Sequence, residues 1–271
     1  MSFDTWQALL HLEFKADSLG KTVLSRNLHQ GPLMVQKPFY PEKCCHVYML
    51  HPPGGIAGTD SLKFDCIVEP NCHVLVTTPG ATKFYKTDGQ ISEFNQVFKL
   101  NNGASLEYLP SQNIFYKGTH TKVNTSFYLE QNAKFAFRDV SKCGVKDEEN
   151  PFLDSSFFNT IKIYQDNTLV LKETCFIEGM EDFKALAAIF NHPYIGTFIC
   201  NKVSEETLSK LQNLLDLNAY QASIGMVDNF LIARFLGDDN QSIENTIVEI
   251  WKTVREEVIG LPPCLPRIWS T

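Results

Sequence analysis

The first two-thirds of the chain alternates apolar and polar residues with the period of β-strands. Leu10, Leu12 and Phe14 alternate with His11 and Glu13, which is the pattern of a half-buried strand. Further strands are predicted at 33–36, 46–50, 62–68, 71–76, 94–100, 103–108, 123–129 and 132–137. This pattern predicts a mainly β fold.

A strand–turn–strand unit occurs three times in this β-rich part. Asn71, Gly103 and Asn132 each occupy the turn, and each of these residue types tolerates a positive φ angle. The turns are 32 and 29 positions apart. A nearly constant period with the same order of elements predicts stacked β units with one continuous core, a helicoidal β-solenoid. Three hairpins of a β-sandwich would use the same turn residues, so that fold is the alternative.

The last third of the chain adds helical periodicity. After a hairpin with its turn at 165–167, a short helix is expected over 181–190. Ser204 is a suitable N-cap for a second helix that carries Leu208, Leu211, Leu214 and Leu215 on one face. A longer helix over 242–258 is expected to end at Gly260. Two or three helices are therefore predicted in the C-terminal third.

Domain organisation follows from the connections between these elements. Strands are also expected at 197–203 and 225–236, and no low-complexity linker separates them from the β-rich part. We expect one composite domain over residues 1–271, with a β-rich part at 1–175 and a mixed α/β part at 176–271.

Composition argues against several classes of partner. The chain has 24 Lys and Arg against 31 Asp and Glu, a net charge of −7, whereas nucleic-acid binding requires a basic surface. No segment approaches the roughly 20 apolar residues of a membrane helix, and no secretory signal is recognisable. We therefore expect a cytoplasmic protein that binds neither nucleic acid nor membrane. Its eight cysteines are expected to be free thiols.

One segment has the residue types of a metal site. Cys45, His46 and His51, with Cys44 beside them and a Cys-His pair at 72–73, provide the thiol and imidazole groups that suit Ni, Cu or Zn. Side chains alternate along a strand, so Cys44 and His46 share one face and Cys45 lies on the other. The favoured interpretation is nevertheless buried thiols and a turn-capping histidine, with transient metal contact at Cys45, His46 and His51 as the alternative. No stably bound cofactor is expected, although a nickel ion could pass in transit.

The chain lacks the sequence motifs of several large enzyme classes. It contains no Walker A loop, no glycine-rich dinucleotide motif, no zinc-protease helix motif and no nucleophile elbow. Asp60, Asp65 and Glu69 could instead supply a carboxylate pair of the glycosidase type if two of them faced each other across a cleft. A β-solenoid enzyme that acts on saccharides is therefore the alternative function.

Segment 31–85 has tightly constrained turns but few catalytic groups. Proline fixes φ and glycine permits positive φ, so the run Pro52, Pro53, Gly54 and Gly55 favours one particular backbone path. We interpret this segment as a shaped binding surface.

Several motifs in and beyond this segment closely resemble the urease accessory protein D family (UreD/UreH). They are GPLMVQKPFYP at 31–41, CHVYMLHPPGG at 45–55, TTPGATKFY at 77–85, LEYLP at 106–110 and LPRIWST at 265–271. The residues that carry the family motifs are Pro52, Pro53, Gly54, Gly55, Asp60, Pro79, Gly80, Lys83 and Tyr85.

The resemblance implies a helicoidal β fold with C-terminal helices and a non-enzymatic role. Family members join urease accessory proteins F and G, of which G is a GTPase, and dock this assembly on apo-urease. Nickel then enters the urease active site, by an internal channel of protein D in the family's favoured account. One departure lies at 145–150, where the family has an Arg and a Gly-Glu-rich turn and this chain has VKDEEN.

The C-terminal tail is a candidate docking segment for accessory protein F. Arg267, Ile268 and Trp269 place apolar groups near the end of the chain with little sequence to cover them. Exposed apolar patches in soluble proteins mark interfaces. The alternative is that Ile268 and Trp269 pack back onto the β core.

Overall fold

The structure, a computed structural model, describes residues 6–145, 148–215 and 220–270. Its strands are β1 (Gln7–Ala16), β2 (Thr22–Gln30), β3 (Met34–Val35), β4 (Cys45–Leu50), β5 (Ser61–Val68), β6 (His73–Thr77), β7 (Thr82–Phe84), β8 (Ser92–Leu100), β9 (Ser105–Leu109), β10 (Asn113–Phe115), β11 (His120–Leu129), β12 (Lys134–Cys143), β13 (Ser156–Gln165), β14 (Thr168–Glu178), β15 (Tyr194–Asn201), β16 (Gln221–Val227) and β17 (Phe230–Gly237). Its helices are α1 (Gly179–Lys184), α2 (Glu205–Gln212) and α3 (Asn240–Ile259), followed by a 3₁₀ turn at Arg267–Ser270.

The strands form two sheets. A seven-stranded sheet has the order β14-β13-β11-β8-β5-β1-β2, and a ten-stranded sheet contains β16-β17-β15-β12-β9-β6-β4-β3 with β7 and β10 attached. From β4 to β13 the chain passes repeatedly from one sheet to the other, and each coil adds a parallel strand to both. The mainly β, solenoid-like architecture is therefore confirmed.

The three predicted turns occupy equivalent positions in successive coils. Asn71, Gly103 and Asn132 have φ angles of 59°, 69° and 63°. In each turn the next amide donates to the carbonyl three positions back, at 3.1, 2.9 and 3.0 Å. The turns also touch, because a Cβ added to Gly103 would lie 2.7 Å from Asn71 Oδ1. The prediction of stacked repeats is confirmed.

The main core lies between the two sheets. Alternating residues of β1 point into it, and Leu10 and Phe14 are fully buried as the period predicted. Phe64, Phe98 and Phe127 come from adjacent strands of successive coils, with ring centroids 5.3 and 4.9 Å apart. Each such aromatic pair contributes about 0.5–1.5 kcal/mol beyond area burial, so stacking of identical side chains stabilises the coil register.

A second core lies between the ten-stranded sheet and α3. Asp239 caps α3 by accepting a hydrogen bond from the Ser242 amide at 2.9 Å, and Gly260 ends it in the left-handed conformation. The apolar face of this helix packs on the sheet through Ile243, Ile247, Ile250, Trp251, Val254 and Val258. Within the described ranges, no helix is long and apolar enough to cross a membrane.

Three boundaries differ from the sequence prediction. The helix expected over 181–190 ends at Lys184, because Ala185 is extended and the Asn191 amide turns back to the Phe183 carbonyl. The strand expected over 225–236 is a hairpin, in which Asp228 adopts a positive φ between β16 and β17. The second helix begins after Ser204 as predicted but ends at Gln212.

Candidate functional site

The family-motif residues lie in two adjacent loops, 51–60 and 78–85. The Ile56 amide donates to the Lys83 carbonyl at 2.7 Å, and the Tyr85 amide donates to the Ile56 carbonyl at 2.8 Å. The Tyr85 ring lies directly on Gly55, where an added Cβ would be 2.1 Å from a ring atom. With any larger residue at position 55 the Tyr85 ring would have to move, so glycine allows the two loops to pack closely.

Asp60 holds the first of these loops in place. Its carboxylate accepts hydrogen bonds from the amides of Trp6 and Ala57, both at 3.0 Å. Asp60 therefore has a structural role in this loop.

A cavity of about 200 Å³ lies beneath the two loops. His51, Gly54, Pro79, Gly80 and Lys83 are among the residues that line it. Its remaining lining is mostly apolar, including Leu33, Met49, Leu50, Leu62, Ala81 and Phe94. Burial lowers the pKa of His51, against an opposing effect of Asp60, so the His51 imidazole is held neutral.

The other two carboxylates of the alternative enzyme hypothesis each have a partner. Asp65 pairs with Lys63 at 2.9 Å, and Glu69 accepts a hydrogen bond from Asn101 at 3.1 Å. These contacts are typical of carboxylates that stabilise strands and turns.

Polar side chains lie between the two sheets, within the otherwise apolar main core. Ser92 and Gln96 share a face of β8 with the core phenylalanines. They bond to Thr121 at 2.8 Å and Thr125 at 3.0 Å on β11, and Gln96 also accepts from Tyr108 of the opposite sheet. The contact from Tyr108 to Gln96 therefore spans the space between the sheets.

Asp139 is the acidic member of this polar group. Its carboxylate accepts hydrogen bonds from the side-chain amides of Asn113 and Asn159. No cation of the described residues lies within ion-pairing distance of it. Burial raises the pKa of Asp139 to about 6, although the two amides oppose this shift.

Of the metal candidates, Cys45, His46 and His51 do not converge, whereas Cys44 lies near His46 and near His73. Cys45 packs in the main core, whereas His46 lies on the opposite face of β4, and His51 lines the cavity beneath the loops. Cys44 is in the second core, on the same side as His46, as strand alternation predicted. The structure therefore separates the thiol of Cys45 from both imidazoles.

A buried ionic network occupies the layer between the ten-stranded sheet and α3. Glu107 of β9 accepts hydrogen bonds from Arg255 at 2.9 and 3.0 Å, from Trp251 at 2.6 Å and from His73 at 2.8 Å. Burial by itself raises the pKa of Glu107, but the bonds from His73 and Arg255 outweigh it and lower the pKa to about 2.

Glu42 and His46 extend this network. Arg255 also donates to the Glu42 carboxylate and to the Pro262 carbonyl, and His46 Nε2 lies 2.9 Å from Glu42. Burial raises the pKa of the adjacent Cys44 thiol well above its usual range, and the negative charges of Glu107 and Glu42 add to this effect.

The C-terminal tail returns to the ten-stranded sheet. Trp269 is half-buried, and its Nε1 donates a hydrogen bond to Thr77 Oγ1 at 2.9 Å. Its ring packs edge-on against that of Trp251, with ring centroids 5.7 Å apart. The Arg138 guanidinium lies 4.6 Å from the centroid of the Trp269 ring. Ile268 is half-buried and Arg267 is exposed. Of the divergent loop 145–150, residues 146 and 147 lie outside the described residues.

Sequence reasoning missed the charged residues that the structure buries. Glu107, Asp139 and Arg255 were not predicted, because a polar residue in an alternating strand or an amphipathic helix usually faces solvent. One signal was available: Glu107 lies inside the LEYLP motif, where apolar residues flank it on both sides.

Together, the coiled sheets, the packed loops and the buried charges define a β-solenoid protein with a helical C-terminal part. The UreD urease accessory protein family model matches residues 7–270. The chain belongs to this family, and membership supports a role in urease maturation.

Individual relatives agree with this assignment. The urease accessory protein UreD of Klebsiella aerogenes is 36% identical over 267 residues, with 98% of this chain and 97% of the relative covered. That of Pseudomonas putida strain W619 is 36% identical, with coverages of 98% and 95%. That of Alcanivorax borkumensis is 32% identical, with coverages of 98% and 92%.

Proposed function

We propose that this protein is a non-enzymatic urease maturation factor. It joins urease accessory proteins F and G and holds them on apo-urease while nickel is inserted into the active site. In this proposal the C-terminal tail contacts protein F, and nickel passes between the two sheets. Family membership supports the role in maturation.

The observation that supports the nickel route is the buried carboxylate of Asp139. Moving an ionised carboxylate into an apolar interior is costly unless a cation or several hydrogen bonds compensate it. Asp139 has two amide donors and no ion-pair partner among the described residues. A divalent cation that passed between the sheets would be attracted by the negative charge of the Asp139 carboxylate.

Other polar groups between the sheets would suit an ion in transit. In this proposal, oxygens such as those of Thr121 and Gln96 take the place of water ligands and bind the ion weakly. An ion path requires binding that is favourable enough for the ion to enter and weak enough for it to leave. The carboxylate of Asp139 would supply the first property and the neutral oxygens the second.

The test is urease activation in cells that lack this protein and are complemented with variants. Asp139→Asn keeps the side-chain volume and removes the negative charge, and Asp65→Asn is the matched control on β5. We expect urease nickel content to fall with Asp139→Asn but not with the control, at unchanged urease subunit levels. Co-purification with protein F checks that the complex still assembles. Normal nickel content in urease made without this protein would refute the proposal.

A further inference from the structure

Potential metal ligands are concentrated on the α3-facing side of the ten-stranded sheet. One ligand atom from each of Cys44, His73 and Glu107 lies within 4.8 Å of the others, and Glu42, Cys44 and His46 form a second such group. Cys44 belongs to both groups, so a single thiol is shared by two His–Glu pairs. Thiolate, imidazole and carboxylate together are the ligands of late first-row divalent metals.

The cluster contains more carboxylates than guanidinium groups. The carboxylates of Glu42 and Glu107 share a single guanidinium, that of Arg255. A carboxylate in a layer almost closed to solvent is stabilised by nearby positive charge. A cation bound between the two carboxylates would add such charge.

His46 adds an unsatisfied polar atom to this layer. Its side chain is fully buried, its Nε2 pairs with Glu42, and its Nδ1 has no hydrogen-bond partner among the described residues. A buried polar atom without a partner is costly, so the His46 ring has unused hydrogen-bonding capacity beside the cluster.

We propose that this cluster binds one Ni²⁺ ion through the Cys44 thiolate, His73 and a carboxylate oxygen of Glu107 or Glu42. Binding breaks the S–H bond of Cys44, forms a Ni–S bond and releases one proton to the buffer. The ion adds two positive charges and the thiolate adds one negative charge, so the net gain of one positive charge offsets the carboxylate in excess of Arg255. Arg255 can stay in place.

The required movements are small. Metal–ligand distances of about 2.0–2.3 Å place neighbouring ligand atoms roughly 3.3–3.8 Å apart, so atoms now within 4.8 Å have to move by less than about 1 Å. His73 and Glu42 have side-chain exposures of 15% and 13%, and these partly open groups provide the route by which an ion enters.

The choice of nickel rests on the proposed function, whereas the ligand set rests on the geometry alone. Zn²⁺ and Cu²⁺ accept the same donors, and affinity generally rises from Ni²⁺ to Cu²⁺ in any given site. The site therefore holds nickel, and not another divalent metal, only if nickel is the ion delivered to it. The assignment of Cys44 as ligand is independent of the metal used to test it.

The experiment is a titration of the purified full-length chain with NiCl₂, followed by near-ultraviolet absorption and proton release. We expect a thiolate-to-nickel charge-transfer band that saturates at one ion per chain, with one proton released. Cys44→Ser should abolish the band and weaken binding at least tenfold. Cys200→Ser is the matched control, because Cys200 is a buried thiol in the same core.

Two outcomes would overturn the site: no charge-transfer band in the wild-type chain, or an unchanged band in Cys44→Ser. Circular dichroism checks that the variants fold. X-ray absorption of the wild-type nickel complex tests the same ligands without any variant. If the site is correct, the spectrum shows one sulfur and at least one imidazole ligand. A nickel shell made only of oxygen and nitrogen would exclude Cys44.

The failure of this proposal and that of the maturation role can be distinguished. If the band is absent while urease nickel still depends on this protein, the maturation role stands and this metal site does not exist. If the band is present while urease is loaded normally without the protein, the site binds metal and the maturation role fails. Urease activation by Cys44→Ser then shows whether this site participates in maturation.

Discussion

Glu107 and Arg255 are 148 residues apart in the sequence and form two parallel hydrogen bonds, at 2.9 and 3.0 Å. Neither side chain is exposed. Because Glu107 belongs to β9 and Arg255 to α3, the pair links the coiled sheet to the C-terminal helix. Planar bidentate pairing fixes their relative orientation as well as their distance.

The first prediction concerns this pair. Arg255→Met leaves the buried Glu107 carboxylate without its main counter-charge, and we expect a loss of about 3–5 kcal/mol in unfolding free energy. Urea denaturation at pH 7 measures this loss. Glu249→Ala is the control, because it removes an exposed ion pair with Lys252 on the same helix and should cost less than about 1 kcal/mol.

The double variant Glu107→Leu with Arg255→Met sharpens this test. Removing both charges avoids an unpaired ion in the core, so the double variant should lose clearly less stability than the two single variants combined. Strictly additive losses would show that the two side chains stabilise the fold independently.

The second prediction concerns Asp139 and pH. Its pKa rises from 3.8 to about 6 on folding, so the folded state binds the proton more tightly than the unfolded state. The resulting destabilisation is about 3 kcal/mol at pH 7 and falls below about 1 kcal/mol near pH 4, where Asp139 is protonated in the folded state and about half protonated in the unfolded state. Stability attributable to this group is thus present at low pH and is lost as pH rises through 6.

Unfolding of wild type and Asp139→Asn at a series of pH values tests this directly. The stability of Asp139→Asn relative to wild type should decrease as the pH falls from 7 to 4, with most of the change between pH 6 and 4. Asp65→Asn, on the paired and partly exposed Asp65, serves as the control. A difference between wild type and Asp139→Asn that is independent of pH would contradict the prediction.

The coil architecture was predictable because its signals are local. Asn71, Gly103 and Asn132 require a positive φ wherever the surrounding chain goes, and their even spacing reports the length of a coil. The end of α3 at Gly260 is local in the same sense. Alternation alone placed Cys44 and Cys45 on opposite faces of the sheet, and the two cores confirm it.

The charged groups could not be placed from the sequence. Glu107 is buried only because α3 covers its face of the sheet, and α3 begins more than 130 residues later. Asp139 is buried because β12 faces the opposite sheet at this point, where Asn159 meets it. The burial of these residues depends on how the two sheets and α3 pack together. Strand periodicity does not show whether a sheet is covered on one face or on both.

The third prediction concerns the contact between the two motif loops. Gly55→Ala places a Cβ where the Tyr85 ring lies, and this ring stacks on Tyr116 with centroids 5.1 Å apart. Tyr85 is 40% exposed, so the ring can swing outward. The expected loss is therefore only about 1 kcal/mol, at the low end for overpacking.

Gly80→Ala is the matched control, since nothing lies within 4 Å of the Cβ position there. It lies in the partner loop, and its effect should be within about 0.5 kcal/mol. Thermal unfolding measures both variants, and aromatic NMR contacts report whether Tyr85 leaves Tyr116. Equal effects of the two substitutions would show that the close approach of Tyr85 to Gly55 does not order the loops.

The last prediction separates docking from packing at the C-terminal tail. Trp269 is packed against Trp251 and hydrogen-bonded to Thr77, so truncation after Pro266 or Trp269→Ala removes structural contacts whatever the tail binds. A half-buried Trp contributes less than the about 3–5 kcal/mol of a fully buried one. We expect a cost of about 2 kcal/mol for Trp269→Ala, and loss of protein F binding by that variant would not by itself prove contact.

Arg267 distinguishes the two roles because it is exposed and lies in the same 3₁₀ turn. If the tail contacts accessory protein F, Arg267→Glu should weaken the complex at least tenfold in co-purification and calorimetry while the unfolding midpoint stays at the wild-type value. Lys122→Glu makes the same charge reversal at an exposed position of β11 and should leave both quantities unchanged. Unaltered affinity of Arg267→Glu for protein F would instead mean that the tail only packs, and that the surface joining the two proteins lies elsewhere.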